Sequence, residues 1–234
     1  MCEENETKCS NWAGLLVGRH KTALTALIGL QRCKMWQCAF CAELNRNRWR
    51  AVIIERCNQG EDEQWWFGTL TAHRKARGWK NSSLNIRNGW KKLSNRMRYQ
   101  NKKKGAGTPS YVWCLELHDD ETQNGVSGAS AHIHILSNYD PGDYSQENKK
   151  GSKWISDKSA ECGMGFQTDW QPIPPGHGGY TASYVTKYMT KVEKPLPKKT
   201  RRVQTSRDIK YTSVQASDYD WQRYDVQSEH AIYR

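Results

Sequence analysis

Residues 131–136 read AHIHIL, a strict apolar/polar alternation. Successive side chains on a strand point to opposite faces, so Ile133 and Ile135 must enter a core while His132 and His134 share the other side. Such a strand needs neighbours and a packed layer beneath it. Two stretches rich in aromatic and β-branched residues supply neighbours: 65–71 (WWFGTLT) and 111–117 (YVWCLEL). A fourth strand is predicted within 166–173, broken by Pro174-Pro175-Gly176. Between the first two, Ile86, Trp90, Leu93 and Met97 follow spacings of four, three and four, one face of a helix. Asn81, Ser82 and Ser83 offer its N-cap, and it ends in Lys102-Lys103-Lys104 before Gly105. Residues 42–56 also read as helical and basic, packing through Leu44, Val52 and Ile53, and 182–192 reads as a third helix. No element is legible in 1–31, where an apolar run is interrupted by Arg19-His20-Lys21, or in the tail after 210. The order strand, helix, strand, strand predicts an α+β domain, a central antiparallel sheet with flanking helices. The expected division is an N-terminal segment (1–60) carrying a Cys cluster, a main domain (61–210) and a C-terminal tail (211–234).

Leu, Ile, Val and Phe make up only about 15% of the chain, and its formal net charge is +12. That combination is a warning of disorder. The 11 Trp and 11 Tyr, spread along the whole length, contradict it. The core is therefore expected to lean on Trp. Coiled-coil, collagenous and membrane-spanning classes are excluded, since neither half of the interrupted apolar run reaches the roughly 20 residues that span a bilayer. The acidic opening Met1-Cys2-Glu3-Glu4 does not look like a signal peptide, so a cytoplasmic location is expected. A sequence pI near 9.3 implies a polyanionic partner. Nucleic acid comes first, because phosphate neutralisation dominates such affinities, and an anionic membrane surface second.

Four constellations carry chemistry. His132 and His134 on one sheet face can converge on a metal ion, with Glu116 or His118 from the preceding strand as third ligand. A His/His/carboxylate set with open positions suits a divalent cation, Mg²⁺ or Mn²⁺, that must also hold a phosphate oxygen. The plainer use of the same pattern is two exposed strand histidines. Cys33-x4-Cys38-x2-Cys41 reads as a structural Zn²⁺ knuckle or as three unrelated thiols. Cys57 is a poor fourth ligand, since sixteen helical residues would place it about 24 Å from Cys41; Cys9 and His20 are better placed. Tyr180, Tyr184 and Tyr188 share one helical face, with Lys187 and Lys191 three residues after the latter two. A neighbouring ammonium or metal favours the phenolate, and Tyr is a covalent nucleophile; the commoner use of such a stripe is packing. Finally, a net +6 falls within 187–202, counting seven Lys/Arg against Glu193.

Three of these features occur in order: Phe67-Gly68-Thr69-Leu70-Thr71, then His132-Ile133-His134, then Tyr184-Val185-Thr186-Lys187-Tyr188-Met189-Thr190-Lys191. The ordered set resembles the three motifs of rolling-circle replication initiators (Rep proteins) in the HUH endonuclease superfamily. The paired-tyrosine form is similar to initiators of microviruses and related phages. The Cys cluster, followed by Arg46, Arg48 and Trp49, resembles the N-terminal segment of some plasmid Rep families. The resemblance covers roughly residues 33–207.

It implies an HUH-like nuclease domain that nicks single-stranded origin DNA, with or without a hairpin. His132, His134 and Glu116 would hold the catalytic cation. Tyr184 or Tyr188 would attack, leaving a 5′-phosphotyrosine and a priming 3′-OH, and the other tyrosine would cut or rejoin the strand later. Lys187 and Lys191 would steady the phosphate or phenolate. Arg46, Arg48, Lys102, Lys103, Lys104, Lys198, Lys199, Arg201 and Arg202 would bind backbone phosphates. With no Gly-Lys-Ser/Thr phosphate loop in the chain, helicase and polymerase are expected from the host. Rival readings are a transposase or relaxase of the same superfamily, and a non-catalytic zinc-containing DNA-binding protein.

Overall fold

The alternation at 131–136 forms the strand it predicts, and that strand lies at the centre of a five-stranded antiparallel sheet. The structure is a computed structural model. It describes residues 14–31, 35–36, 38–58, 63–118, 130–144, 151–174, 182–183, 185–187, 200–209 and 219–224. In chain order the elements are β1 (Gly14–His20), β2 (Ala26–Gln31), α1 (Ala39–Asn58), β3 (Trp66–Thr71) and α2 (Trp79–Lys103). They continue as β4 (Tyr111–His118), β5 (Ser130–Ser137), α3 (Lys153–Glu161), β6 (Thr168–Pro172), β7 (Val203–Thr205) and β8 (Tyr219–Tyr224). Among the described residues, no helix is long and apolar enough to cross a membrane.

Contacts divide the chain into two units, Met1–Asn47 with Tyr211–Arg234, and Arg48–Lys210. The larger unit holds the sheet β6-β3-β5-β4-β7. Its core lies on one face. Ile86, Trp90, Leu93 and Met97 of α2 pack against Leu70, Trp113, Leu115, Ile133, Ile135 and Trp170. Every one of these is at most 2% exposed, so the four-three-four spacing located the buried face of α2 correctly. The Trp-based core expected from composition is also present: Trp66, Trp90, Trp113 and Trp170 all belong to it. Trp170 sits opposite Gly68 on β3, and its ring covers that glycine so closely that a Cβ there would lie 2.2 Å from Trp170 Cε3.

Asn81, Ser82 and Ser83 are not the N-cap of α2. The helix starts at Trp79 after Gly78, and both serines lie buried inside it. Their hydroxyls donate back to the carbonyls of Gly78 (2.8 Å) and Lys80 (3.1 Å), the alternative use of Ser within a helix. The fourth strand is confined to Thr168–Pro172, preceded by an unforeseen helix, α3, capped by Ser152. The Ser152 hydroxyl accepts from the Ile155 N–H at 3.0 Å.

A polar cluster ties the open end of this sheet together. Arg56 near the end of α1 grips the Glu63 carboxylate at 2.6 and 3.3 Å and donates to Ser110 Oγ at 3.1 Å. Ser110 Oγ donates in turn to Asp208, which follows β7. Burial works to raise the Asp208 pKa, but hydrogen bonds from Ser110 and Ser206 and the charge of Arg56 outweigh it and hold the carboxyl below the ordinary aspartate range. A carboxyl depressed in the folded state contributes stability above its unfolded pKa, near 3.9, and loses it as pH falls through the folded value. Asp208→Asn is therefore expected to flatten the loss of stability below about pH 4. Urea titrations of both proteins at stepped pH check this; parallel acid limbs would refute it.

The smaller unit contains a three-stranded antiparallel sheet, β2-β1-β8. Where the sequence shows only an interrupted apolar run, β1 and β2 form a hairpin, with Arg19 opposite Ala26. The tail contributes β8, paired with β1 from Leu15↔Tyr224 to His20↔Tyr219.

Candidate nucleic-acid-processing site

The sheet face opposite α2 carries the polar residues. In register, Glu116 lies directly across from His132 on the β4–β5 ladder, and Cys114 across from His134. On the other side of β5, Thr71 faces His132 and Thr69 faces His134. Directly opposed residues point to the same side, so Thr69, Thr71, Glu116, His132 and His134 share one patch three strands wide. His118 falls one pleat repeat further out, opposite Ser130. Of the two carboxylate/imidazole alternatives, Glu116 is the one that meets a histidine.

That meeting is close and dry. His134 Nε2 lies 2.8 Å from Glu116 Oε2, with His134 7% and Glu116 2% exposed. The other ring nitrogen, Nδ1, lies 3.2 Å from Thr69 Oγ1. A tautomer that donates from Nε2 to the carboxylate and accepts from the Thr69 hydroxyl at Nδ1 satisfies all three groups. Phe67 stacks beside the imidazole, ring centroids 6.1 Å apart and nearly parallel. His132 is more open, and its Nε2 lies 3.1 Å from Ser130 Oγ. Among the described residues, no three His, Cys, Asp or Glu side chains stand in a ligating arrangement. Glu116, His132, His134 and the flanking hydroxyls of Thr69 and Thr71 put oxygen and imidazole donors on one face of the sheet.

Two neighbours were not singled out as part of this site. Thr69 orients His134, and Arg202 supplies charge. Arg202 is 3% exposed, so it does not lie on the basic surface expected of a phosphate contact. Burial lowers its pKa, while Glu116 and Cys114 beside it oppose that shift. Its carbonyl accepts from the Leu115 N–H at 2.8 Å, which anchors it to β4 next to Glu116. Nothing in a run of seven basic residues marks one of them as interior. The signal for Thr69 was present in its period-two placement with Phe67 and Thr71. Cys114 is fully buried, and its thiol is pushed up to about 12 by burial, so it is inert beside the site.

Of the expected helix at 182–192, residues 182, 183 and 185–187 are described, and all are helical. Ala182, Val185 and Thr186 are buried, and Lys187 is exposed. Thr186 Oγ1 donates to the Ala182 carbonyl at 2.7 Å. Tyr180, Tyr184, Tyr188 and Lys191 lie outside the described residues, as do Lys198 and Lys199. Lys102, Lys103 and Lys104 are exposed as expected, with Lys103 Nζ 4.7 Å from the centre of the Tyr99 ring. Arg201 and Arg48 are exposed, and Arg46 is partly engaged with Glu43 at 3.5 Å.

In the smaller unit, Cys38 and Cys41 are both buried, and the Cys41 N–H points to Cys38 Sγ at 3.4 Å. Cys9 and Cys33 lie outside the described residues. His20 caps the β1–β2 turn, its Nδ1 accepting from the N–H groups of Thr22 (3.2 Å) and Ala23 (2.9 Å).

A family model described as replication-associated protein ORF2 matches residues 65–193, more than half of the chain. The match takes in β3, β4 and β5, and with them every residue of the polar patch. No curated protein and no solved structure matches.

Proposed function

The chain belongs to the replication-associated protein ORF2 family, and from that footing we propose that it starts rolling-circle replication by nicking and rejoining single-stranded origin DNA. The observation that carries this reading is the buried Glu116–His134 pair on a sheet face shared with His132. A structural sheet has no use for a desolvated carboxylate and two imidazoles side by side; a site that must take up a cation and a phosphate does.

Glu116, His132 and His134 would hold Mg²⁺ or Mn²⁺. When bound, that ion would draw charge from the scissile phosphate and make it a better electrophile. To ligate through Nε2, His134 would give up the proton it shares with Glu116 and carry its N–H on Nδ1, donating to Thr69 Oγ1. Arg202 balances the Glu116 charge from within. Tyr184 or Tyr188 would attack phosphorus through its phenolic oxygen. The new O–P bond forms as the P–O3′ bond breaks, the phenolic proton passes to solvent or base, and the departing oxygen becomes a 3′-OH. Because one phosphodiester replaces another, the step reverses at little cost, which is what rejoining by the second tyrosine requires. Lys187 and Lys191 would stabilise charge on the phosphate or phenolate. Structural Zn²⁺ would be held by Cys33, Cys38 and Cys41; the Cys41 N–H aimed at Cys38 Sγ favours a thiolate there. The partners are origin DNA, bare or with a hairpin, and a host helicase and polymerase, in the host cytoplasm.

Incubation with end-labelled single-stranded oligonucleotides and Mn²⁺ tests the reading. A denaturation-resistant adduct is expected, lost in the Tyr184→Phe, Tyr188→Phe double variant and in His132→Ala. No adduct across a broad origin library, or an adduct that survives the double variant, would sink it. Binding should also weaken steeply with salt. With about six phosphate contacts the slope of log K against log salt is roughly −4 for a single strand. Anisotropy titrations at stepped KCl measure it, and a flat response would contradict phosphate-led binding.

A further inference from the structure

Beside the polar patch, where β3 ends, lies a cleft of about 270 Å³ lined by Thr71, His73, Arg74, Phe166 and Gln167, among others. Thr71 is at once a wall of this cleft and the register partner of His132, so the cleft opens one strand position from the candidate metal ligands. Phe166 is 65% exposed, one of the few large apolar side chains of the described residues that solvent reaches. Its backbone is not loose. The Gly165 N–H donates to the Thr71 carbonyl at 2.9 Å, the Phe166 carbonyl accepts from Ser156 Oγ at 2.7 Å, and the Gln167 carbonyl accepts from Thr71 Oγ1. Met164, just before, is buried against Gly89 of α2. Gly165 itself passes so near β3 that a Cβ would lie 3.1 Å from the Ala72 carbonyl oxygen. Three consecutive residues are thus clamped while the ring of the middle one is held out in water.

A fixed aromatic with an open face gains nothing for the free chain; it is a stacking platform in waiting. Its surroundings name the ligand. Arg74, which lines the cleft, and Lys75 and Arg77, which follow it in sequence, are all exposed on the turn that leaves β3. An aromatic face flanked by cations suits a base whose own phosphates lie alongside.

We propose that this cleft holds one unstacked base of the substrate strand, laid on Phe166 with its phosphate against Arg74, and so sets which nucleotide lies next to the bond being cut. This rests on the single-strand-nicking reading above and deepens it. The base class is any planar nucleobase; preference among them would come from Gln167 and His73 at the edges.

The test uses the full chain. A single-stranded oligonucleotide scanned with 5-iodouracil at each position is irradiated with the protein, and the cross-linked peptide is mapped. A cross-link to Phe166 from one position only is expected. Phe166→Ala should weaken strand binding about 10-fold, the loss of one stacked base, and Phe166→Trp should restore it while Phe166→Leu does not. An abasic site at the cross-linked position should weaken the wild type by a similar factor and leave Phe166→Ala unchanged. Because the ring is exposed, these variants should keep the wild-type melting curve. Equal binding by Phe166→Ala, rescue by Leu, or mixed free deoxynucleotides competing as well as the strand would each overturn the proposal. Failure of the wild type to bind or nick any single strand is a different result, and would strike the underlying reading instead.

Discussion

Trp170→Ala is expected to cost the sheet unit about 3–5 kcal/mol, the range for removing a large buried aromatic side chain. Trp170 is fully buried on β6, a strand that among the described residues makes its ladder with β3 alone. Its ring is also the cover over Gly68. The converse substitution should hurt as well: Gly68→Ala drives a methyl into the ring and is expected to cost about 1–3 kcal/mol by overpacking. In a Trp170→Leu background the Gly68→Ala penalty should shrink, because the atom it strikes is gone. Urea denaturation of the four proteins completes the cycle. Additive costs would show that ring and glycine do not share the space the geometry gives them.

Legibility followed local pattern. β5 and α2 were readable from the period of their apolar residues, and β3 and β4 from their aromatic and β-branched content. The α3 helix escaped because only Ile155 and Ser159 of its nine residues are buried, too few to show a period. β7 is three residues long and follows a basic run. The β1–β2 hairpin was obscured by the polar turn after Arg19-His20, which reads as an interruption of one element when it is the joint between two. Serines at 82 and 83 misled because Ser serves both caps and back-bonded helix interiors, and the sequence does not distinguish them. At the site, the histidines and Glu116 were visible as a pattern, since register follows once both strands are recognised. The interior position of Arg202 was not visible, because burial is decided by how β7 docks and not by the local run of charge.

Glu116→Gln is expected to lower the rate of Mn²⁺-dependent adduct formation by about a hundredfold or more, while strand binding measured in chelator stays close to wild type. The amide keeps the shape and can still accept from His134, so what is removed is the negative charge. Glu116→Ala is a poorer probe. It would strand the His134 N–H and remove a negative charge that acts on buried Arg202, adding roughly 1–3 kcal/mol of destabilisation to any catalytic effect. Calorimetric Mn²⁺ titration separates the roles. If Glu116 is a ligand, Mn²⁺ affinity falls with the rate. If affinity holds and only the rate falls, the carboxylate works on the DNA or the tyrosine, and its assignment to the metal is wrong.

The pairing of β1 with β8 has a consequence in time. His20 and Tyr219 are register partners, yet about 200 residues of synthesis separate them. At ribosomal speeds of about 5–20 residues per second, the β1–β2 hairpin waits roughly 10–40 s for its third strand. Throughout that interval one edge of β1 presents unpaired N–H and C=O groups, the kind of surface onto which strands from other nascent chains can add. The small sheet is therefore completed last although its first strand is made first, and yield during rapid overexpression should depend on what shields that edge meanwhile.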